Sequence, residues 1–203
     1  MMTRLQLCWT MMGTCLTVTT LVLGAPGQES GTLKLLRVHR IQSDRMKPPD
    51  LQARNPGAET SDRWYRLTTE YQTSPGWIDD LAVTYYVLFK PGSRTLGVRQ
   101  GSSSYLLLRG QSQYVNIKRG RHISEMYIHP NTVDRYGSIE RIGVVFRSEG
   151  RLLSAQSQPK SQSGWWDKLS PIDGLVLRRE MTPFNSVSPD HYESSKDVLF
   201  GSR

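Results

Sequence analysis

The chain has 203 residues, 37% of them hydrophobic, which suits one large domain or two small ones and leaves enough apolar material for a core. Lys and Arg number 26 against 18 Asp and Glu, a net charge of +8, and 19 of those cations are Arg, whose planar fork suits bidentate contact with carboxylate, sulfate or phosphate. Both cysteines, Cys8 and Cys15, sit at the amino terminus; a chain trimmed there has no thiol, which excludes disulfide scaffolds, cysteine nucleophiles and thiolate zinc sites.

No charged side chain occurs from Leu5 to Leu23, Arg4 supplies a positive flank, and Gly24-Ala25-Pro26-Gly27 closes the stretch with small residues. Residues 1–25 therefore read as a secretory signal peptide, cut near Ala25 or Gly27, and the protein as exported to the periplasm, the outer surface or the medium. An uncleaved membrane anchor is the alternative, because a charge-free stretch of this length approaches the roughly 17 to 25 residues that span a bilayer. Met12-Gly13-Thr14 before Cys15 lacks the aliphatic residue of a lipoprotein signal, and Val18 stands where cleavage after Gly13 of a prepilin would want Glu. An exported domain without cystines must be held by core burial, which suffices at about 150 residues.

Residues 26–62 contain a first strand at 33–42, with Leu33, Leu35, Arg37, His39 and Ile41 on one face, and then a break at 43–62 marked by Pro48-Pro49 and Asn55-Pro56-Gly57. The body spans 63–183, with the first strand included, and 184–203 is a polar tail. Period-two alternation places strands at 64–72, 81–89, 94–98, 104–108, 113–117, 121–129, 139–147 and 151–157. Turns at Pro91-Gly92, Gly101-Ser102, Arg109-Gly110, Arg119-Gly120 and Glu149-Gly150 separate them, the last as a tight hairpin tip. Single helical turns are expected at 130–136 and 189–194, and no amphipathic helix of three turns exists to cross over a parallel sheet. The fold class is all-β: an antiparallel two-sheet sandwich of seven to nine strands.

Catalytic patterns are mostly missing. His122 and His129, seven apart on one expected strand, point to opposite faces, and no spacing builds a metal site. The serine of Gly110-Gln111-Ser112-Gln113-Tyr114 lacks a nucleophile elbow, and the glycines fit no phosphate loop. Paired carboxylates remain, with Asp79, Asp80, Glu125, Asp167 and Glu180 as candidates for glycoside hydrolysis. The form Gly-Trp-x-Asp-x-Leu occurs at Gly76 and again at Gly164; core packing is the favoured role for Trp77, while Trp165 and Trp166 stand evenly between packing and a sugar platform. Lys118, Arg119 and Arg121 crowd one hairpin tip, an electrostatic beacon for an anionic partner. The expected binding residues are thus Lys118, Arg119, Arg121, Trp165 and Trp166, with no catalytic residue, metal or cofactor.

The strand Trp64-Tyr65-Arg66-Leu67, the run from Trp77-Ile78-Asp79-Asp80 to Val87, and Glu180-Met181-Thr182-Pro183-Phe184 together resemble small exported proteins of mucin-degrading Verrucomicrobia. The resemblance is to the immunoglobulin-like protein encoded with their type IV pilus genes. It implies a non-enzymatic sandwich of the bacterial cell envelope, accessory to a pilus or adhesion system, whose partner is an envelope or pilus protein. The alternatives are a secreted glycan-binding module facing an anionic glycan, and a carboxylate-based glycoside hydrolase. Export argues against nucleic acid, and contact with a membrane is expected only through an uncleaved amino terminus.

Overall fold

Alternation of apolar and polar residues sets the strands, and the sheets follow from which edges pair. The computed structural model describes residues 36–49, 63–74, 76–92, 105–161, 164–186 and 195–196. The signal peptide expected at 1–25, most of the Pro-rich break, the strand expected at 94–98 and the helical turn expected at 189–194 lie outside them.

Seven long strands form the frame: β1 (Leu36–Met46), β2 (Trp64–Thr73), β3 (Ile78–Lys90), β4 (Leu106–Ile117), β5 (Gly120–Ile128), β6 (Ser138–Ser148) and β7 (Arg151–Gln158). Three short ones follow: β8 (Pro171–Asp173), β9 (Val176–Arg178) and β10 (Ser195–Lys196). One sheet has the order β1-β2-β5-β9 and the other β10-β4-β3-β6-β7, with β8 added in parallel to β4; every other pairing is antiparallel. Strands one, two and five thus face strands four, three, six and seven, which is the connectivity of an immunoglobulin-like sandwich. The single α-helix among the described residues, α1 (Pro130–Tyr136), carries the chain from one sheet to the other. No helix among them is long and apolar enough to cross a membrane.

The inward faces interleave Leu67 and Tyr71 of β2, Leu81, Val83, Tyr85, Val87 and Phe89 of β3, Met126 and Ile128 of β5, and Val144 and Phe146 of β6, all fully buried. No cysteine occurs among the described residues, and hydroxyls reach across the layers. Tyr85 of β3 donates to the Ser124 carbonyl of β5 at 2.9 Å, and the Tyr114 hydroxyl of β4 lies 2.9 Å from Ser124 Oγ. Burial holds both phenols above their usual pKa.

Three expectations need correction. The first strand does not stop at Gln42: Ser43 to Met46 continue the ladder against Leu67, Arg66, Tyr65 and Trp64. These polar residues are tolerated because β1 is an edge strand with a solvated outer face. The stretches 104–108 and 113–117 are one strand, and Arg109-Gly110 is no turn. A Cβ on Gly110 would meet the Val176 carbonyl at 2.5 Å and Met126 Cε at 2.7 Å, so this glycine marks a close approach across the sandwich. Finally, β5 ends at Ile128, so His129 leaves the strand and caps α1, its Nδ1 accepting from the Asn131 amide at 3.1 Å, with Pro130 in the first turn. The hairpin expected at Glu149-Gly150 is present: both residues have positive φ, 50° and 77°, as a type I′ turn requires, and Ser148 pairs with Arg151.

Candidate functional site

Lys118 and Arg119 form the tip of the β4–β5 connection and Arg121 is the second residue of β5; all three are exposed. Thr73 and His122 fix this turn from below. Thr73 Oγ1 donates to the Lys118 carbonyl at 2.8 Å and accepts from the Gly120 amide at 3.2 Å, and His122 Nε2 lies 2.8 Å from the same carbonyl. His122 is buried and its ring packs against Tyr71, 5.3 Å between centroids. The histidine is therefore a strut for the basic turn.

Sheet register adds cations that are distant in sequence. Arg37 of β1 is opposite Gln72 of β2, and Gln72 is opposite Arg121 of β5, so the three occupy one rung and one face. On the next rung of that face stand Arg40, Glu70 and Ile123. The face assigned to β1 from alternation alone, with Arg37, His39 and Ile41 together, is corrected by a bulge between Val38 and Arg40. The inserted residue brings Arg40 outward beside Arg37 and lets Ile41 pack on the core. His39, at the bulge, has its Nε2 3.2 Å from Gln72 Oε1. A cleft of about 440 Å³ opens here, lined by His39, Glu70, Tyr71, Arg121, His122 and Ile123. Sequence reading found the hairpin cations but missed Arg37, His39, Arg40 and Glu70; only the register brings them together.

The tryptophan pair lies on the outer face of the β4-β3-β6-β7 sheet, in a 3-10 turn at Trp165–Lys168. Trp166 is 5% exposed and stacks on Tyr86, centroids 5.4 Å apart and planes within 8°. It sits over Gly143, where a Cβ would come within 2.6 Å of its ring. Trp165 meets Trp166 edge-on, and the Arg141 guanidinium lies 5.6 Å from its ring centre. The ring faces that a sugar would use are thus largely occupied by protein. Trp77 behaves oppositely to its expected packing role and is 68% exposed ahead of β3.

The candidate carboxylates are scattered. Glu125 is buried on the outer face of the β1-β2-β5-β9 sheet, accepting from Tyr127 Oη at 2.7 Å with Arg66 Nη1 3.5 Å away. Arg66 also forms a two-point pair with Asp44, at 3.2 and 2.7 Å, whose hydrogen bonds hold its pKa above the usual value. Asp80 accepts from Gln113 at 2.7 and 2.9 Å, and Asp79, Asp167 and Glu180 are exposed. Glu125 and Asp167 lie on opposite outer faces of the sandwich, and none of the three clefts described holds more than one carboxylate. Among the described residues no group of His, Cys, Asp and Glu could hold a metal ion.

Two sheets in immunoglobulin-like order, one of them with a basic outer face, define the chain as an immunoglobulin-like β-sandwich. A family model matches residues 28–198, more than four fifths of the chain, and the chain belongs to that family. That membership is consistent with the resemblance carried by the Trp64 and Trp77 strands, to the immunoglobulin-like protein encoded with the type IV pilus genes of mucin-degrading Verrucomicrobia. It is not a known enzyme family. Among solved structures, a protein from Akkermansia muciniphila shares the fold with a TM-score of 0.62 and 18% identity, over 81% of this chain and 94% of that one. No curated protein matches the chain.

Proposed function

We propose that the chain is an exported, non-enzymatic sandwich module of the bacterial cell envelope that docks another envelope protein, as an accessory to a pilus or adhesion system. Family membership supports the setting, and the charge-free segment after Arg4 supports export. One observation carries the docking role. β7 is the last strand of its sheet, pairs with β6 on one side, and pairs with no strand on the other among the described residues. It runs for eight residues, Arg151 is its only charged side chain, and Leu152 is 56% exposed. Gln156, Ser157 and Gln158 share a cleft with His39, Arg40 and Ile41 of β1, which leaves residues 151–155 as the lightly guarded stretch, a template for strand addition in which main-chain hydrogen bonds hold an extended partner segment. The other long edge, β1, carries Arg37, His39, Arg40, Asp44 and Arg45, charges that discourage such pairing.

The test is a photoreactive side chain at Ser154 of the full-length protein, irradiated in intact envelopes. The expected result is one crosslinked envelope protein, reduced about tenfold or more by L152K/Q156K with the far-ultraviolet dichroism unchanged. Crosslinks that ignore the lysines, or that form equally from a probe at Asp79, overturn the docking role of β7.

A further inference from the structure

We propose that the cleft between β1, β2 and β5 binds an acidic sugar, a glycan residue bearing a carboxylate or a sulfate. The site does not depend on strand addition at β7, although His39 also lines a second cleft with Gln156, Ser157 and Gln158 of that strand. The cleft combines Arg121 as a cationic hydrogen-bond donor to an anion, His39 as a polar ring, Glu70 as an acceptor for hydroxyls and the partly exposed Ile123 as an apolar patch. Arg37 and Arg40 lie on the same face, and Lys118 and Arg119 lie on the turn immediately before Arg121. Among the described residues none of Arg37, Arg40, Lys118, Arg119 and Arg121 forms an ion pair, so their field is not cancelled locally.

The mixture of groups selects the ligand class. Arg37 and Arg121 are two strand spacings apart, about 10 Å at roughly 4.8 Å per strand, and can bracket a ring-sized ligand from both sides. A densely charged polyphosphate would meet Glu70 among the cations and be repelled by it, whereas a sugar acid offers hydroxyls to that carboxylate and one anion to an arginine fork. An extended acidic peptide would want a run of cations along a single strand; here Arg37 and Arg40 stand on β1 and Arg121 on β5, with Gln72 and Glu70 of β2 between them and Arg121 in the wall of the cleft. The volume lies in the range of small-ligand sites, about 300 to 1,000 Å³.

Titration calorimetry of the full-length protein at low salt tests the proposal, with a disaccharide ending in glucuronic acid, its glucose counterpart, galactose 6-sulfate and poly-glutamate as probes. One of the two acidic sugars is expected to bind saturably, at least tenfold more tightly than the neutral disaccharide. Which of them binds tells carboxylate from sulfate. R121A and H39A, both at exposed positions, should each weaken it several-fold to tenfold, and K168A, remote in the 3-10 turn, should leave it unchanged. The proposal is overturned if neither acidic sugar binds, if the neutral sugar binds equally, or if poly-glutamate binds as tightly and with the same loss in R121A. None of these results alters crosslinking from Ser154, so the two readings fail separately.

Discussion

Two tryptophans in the same short motif have opposite surroundings. Trp77 precedes the first residue of β3 and remains exposed, whereas Trp166 lies flat on Tyr86 because Gly143 of β6 removes the side chain that would occupy its place. Within Gly-Trp-x-Asp-x-Leu, Trp166 holds the place of Ile78, which is also buried, and Trp77 holds the place of Trp165, which is only partly buried; the glycine that seats Trp166 belongs to another strand, beyond the reach of the motif. Trp166→Ala should destabilise the fold by about 3 to 5 kcal/mol, the usual cost of deleting a large buried ring. The check is the urea midpoint at constant m-value; Trp77→Ala should move it by no more than about 0.5 kcal/mol.

β4 shows how one residue type can be read in two ways. Glycine after arginine between two apolar runs signals a turn when only neighbours along the chain are considered. Across the sandwich, the same Gly110 gives room to the Val176 backbone and to Met126. Most other strand boundaries were legible because alternation is a local property, and so was the Glu149-Gly150 turn, whose positive φ values follow from residue type. The bulge in β1 was not legible, since it depends on how β1 meets β2. Gly110→Ala is expected to cost about 1 to 3 kcal/mol by overpacking and to loosen β9 against β5. Urea unfolding measures the first effect, and amide exchange at Val176 to Arg178 the second. Wild-type exchange there in the variant would contradict the close contact.

The binding face belongs to the molecule as a whole, because Arg37, Arg40 and Arg121 become neighbours only when β1, β2 and β5 are in register. The hairpin cations were visible from composition; the concave site beside them was not. The same scale governs cohesion, since Tyr85 and Tyr114 of one sheet both engage Ser124 of the other. Burial raises both phenol pKa values above the unfolded value of about 10. Above that value the unfolded chain releases protons that the folded chain retains, so this contribution is intact below about pH 10 and declines as pH rises further. Urea midpoints between pH 8 and 11 should fall steeply for the natural chain and less steeply for Y85F/Y114F. At pH 8 the double variant should be less stable by about 1 to 3 kcal/mol through its lost hydrogen bonds. Equal slopes for the two proteins would show that these hydroxyls do not couple the layers to alkali.

Clasping the sheets with phenols rather than sulfur has a further consequence. Cys8 and Cys15 are the chain's only cysteines, and none occurs among the described residues, so no covalent link has to form or be reshuffled between layers. Linking the layers of the sandwich involves no disulfide oxidase or disulfide isomerase, and reductants such as dithiothreitol should leave its melting temperature unchanged. A protein built this way acquires the same architecture in a reducing cytosol as beyond the membrane.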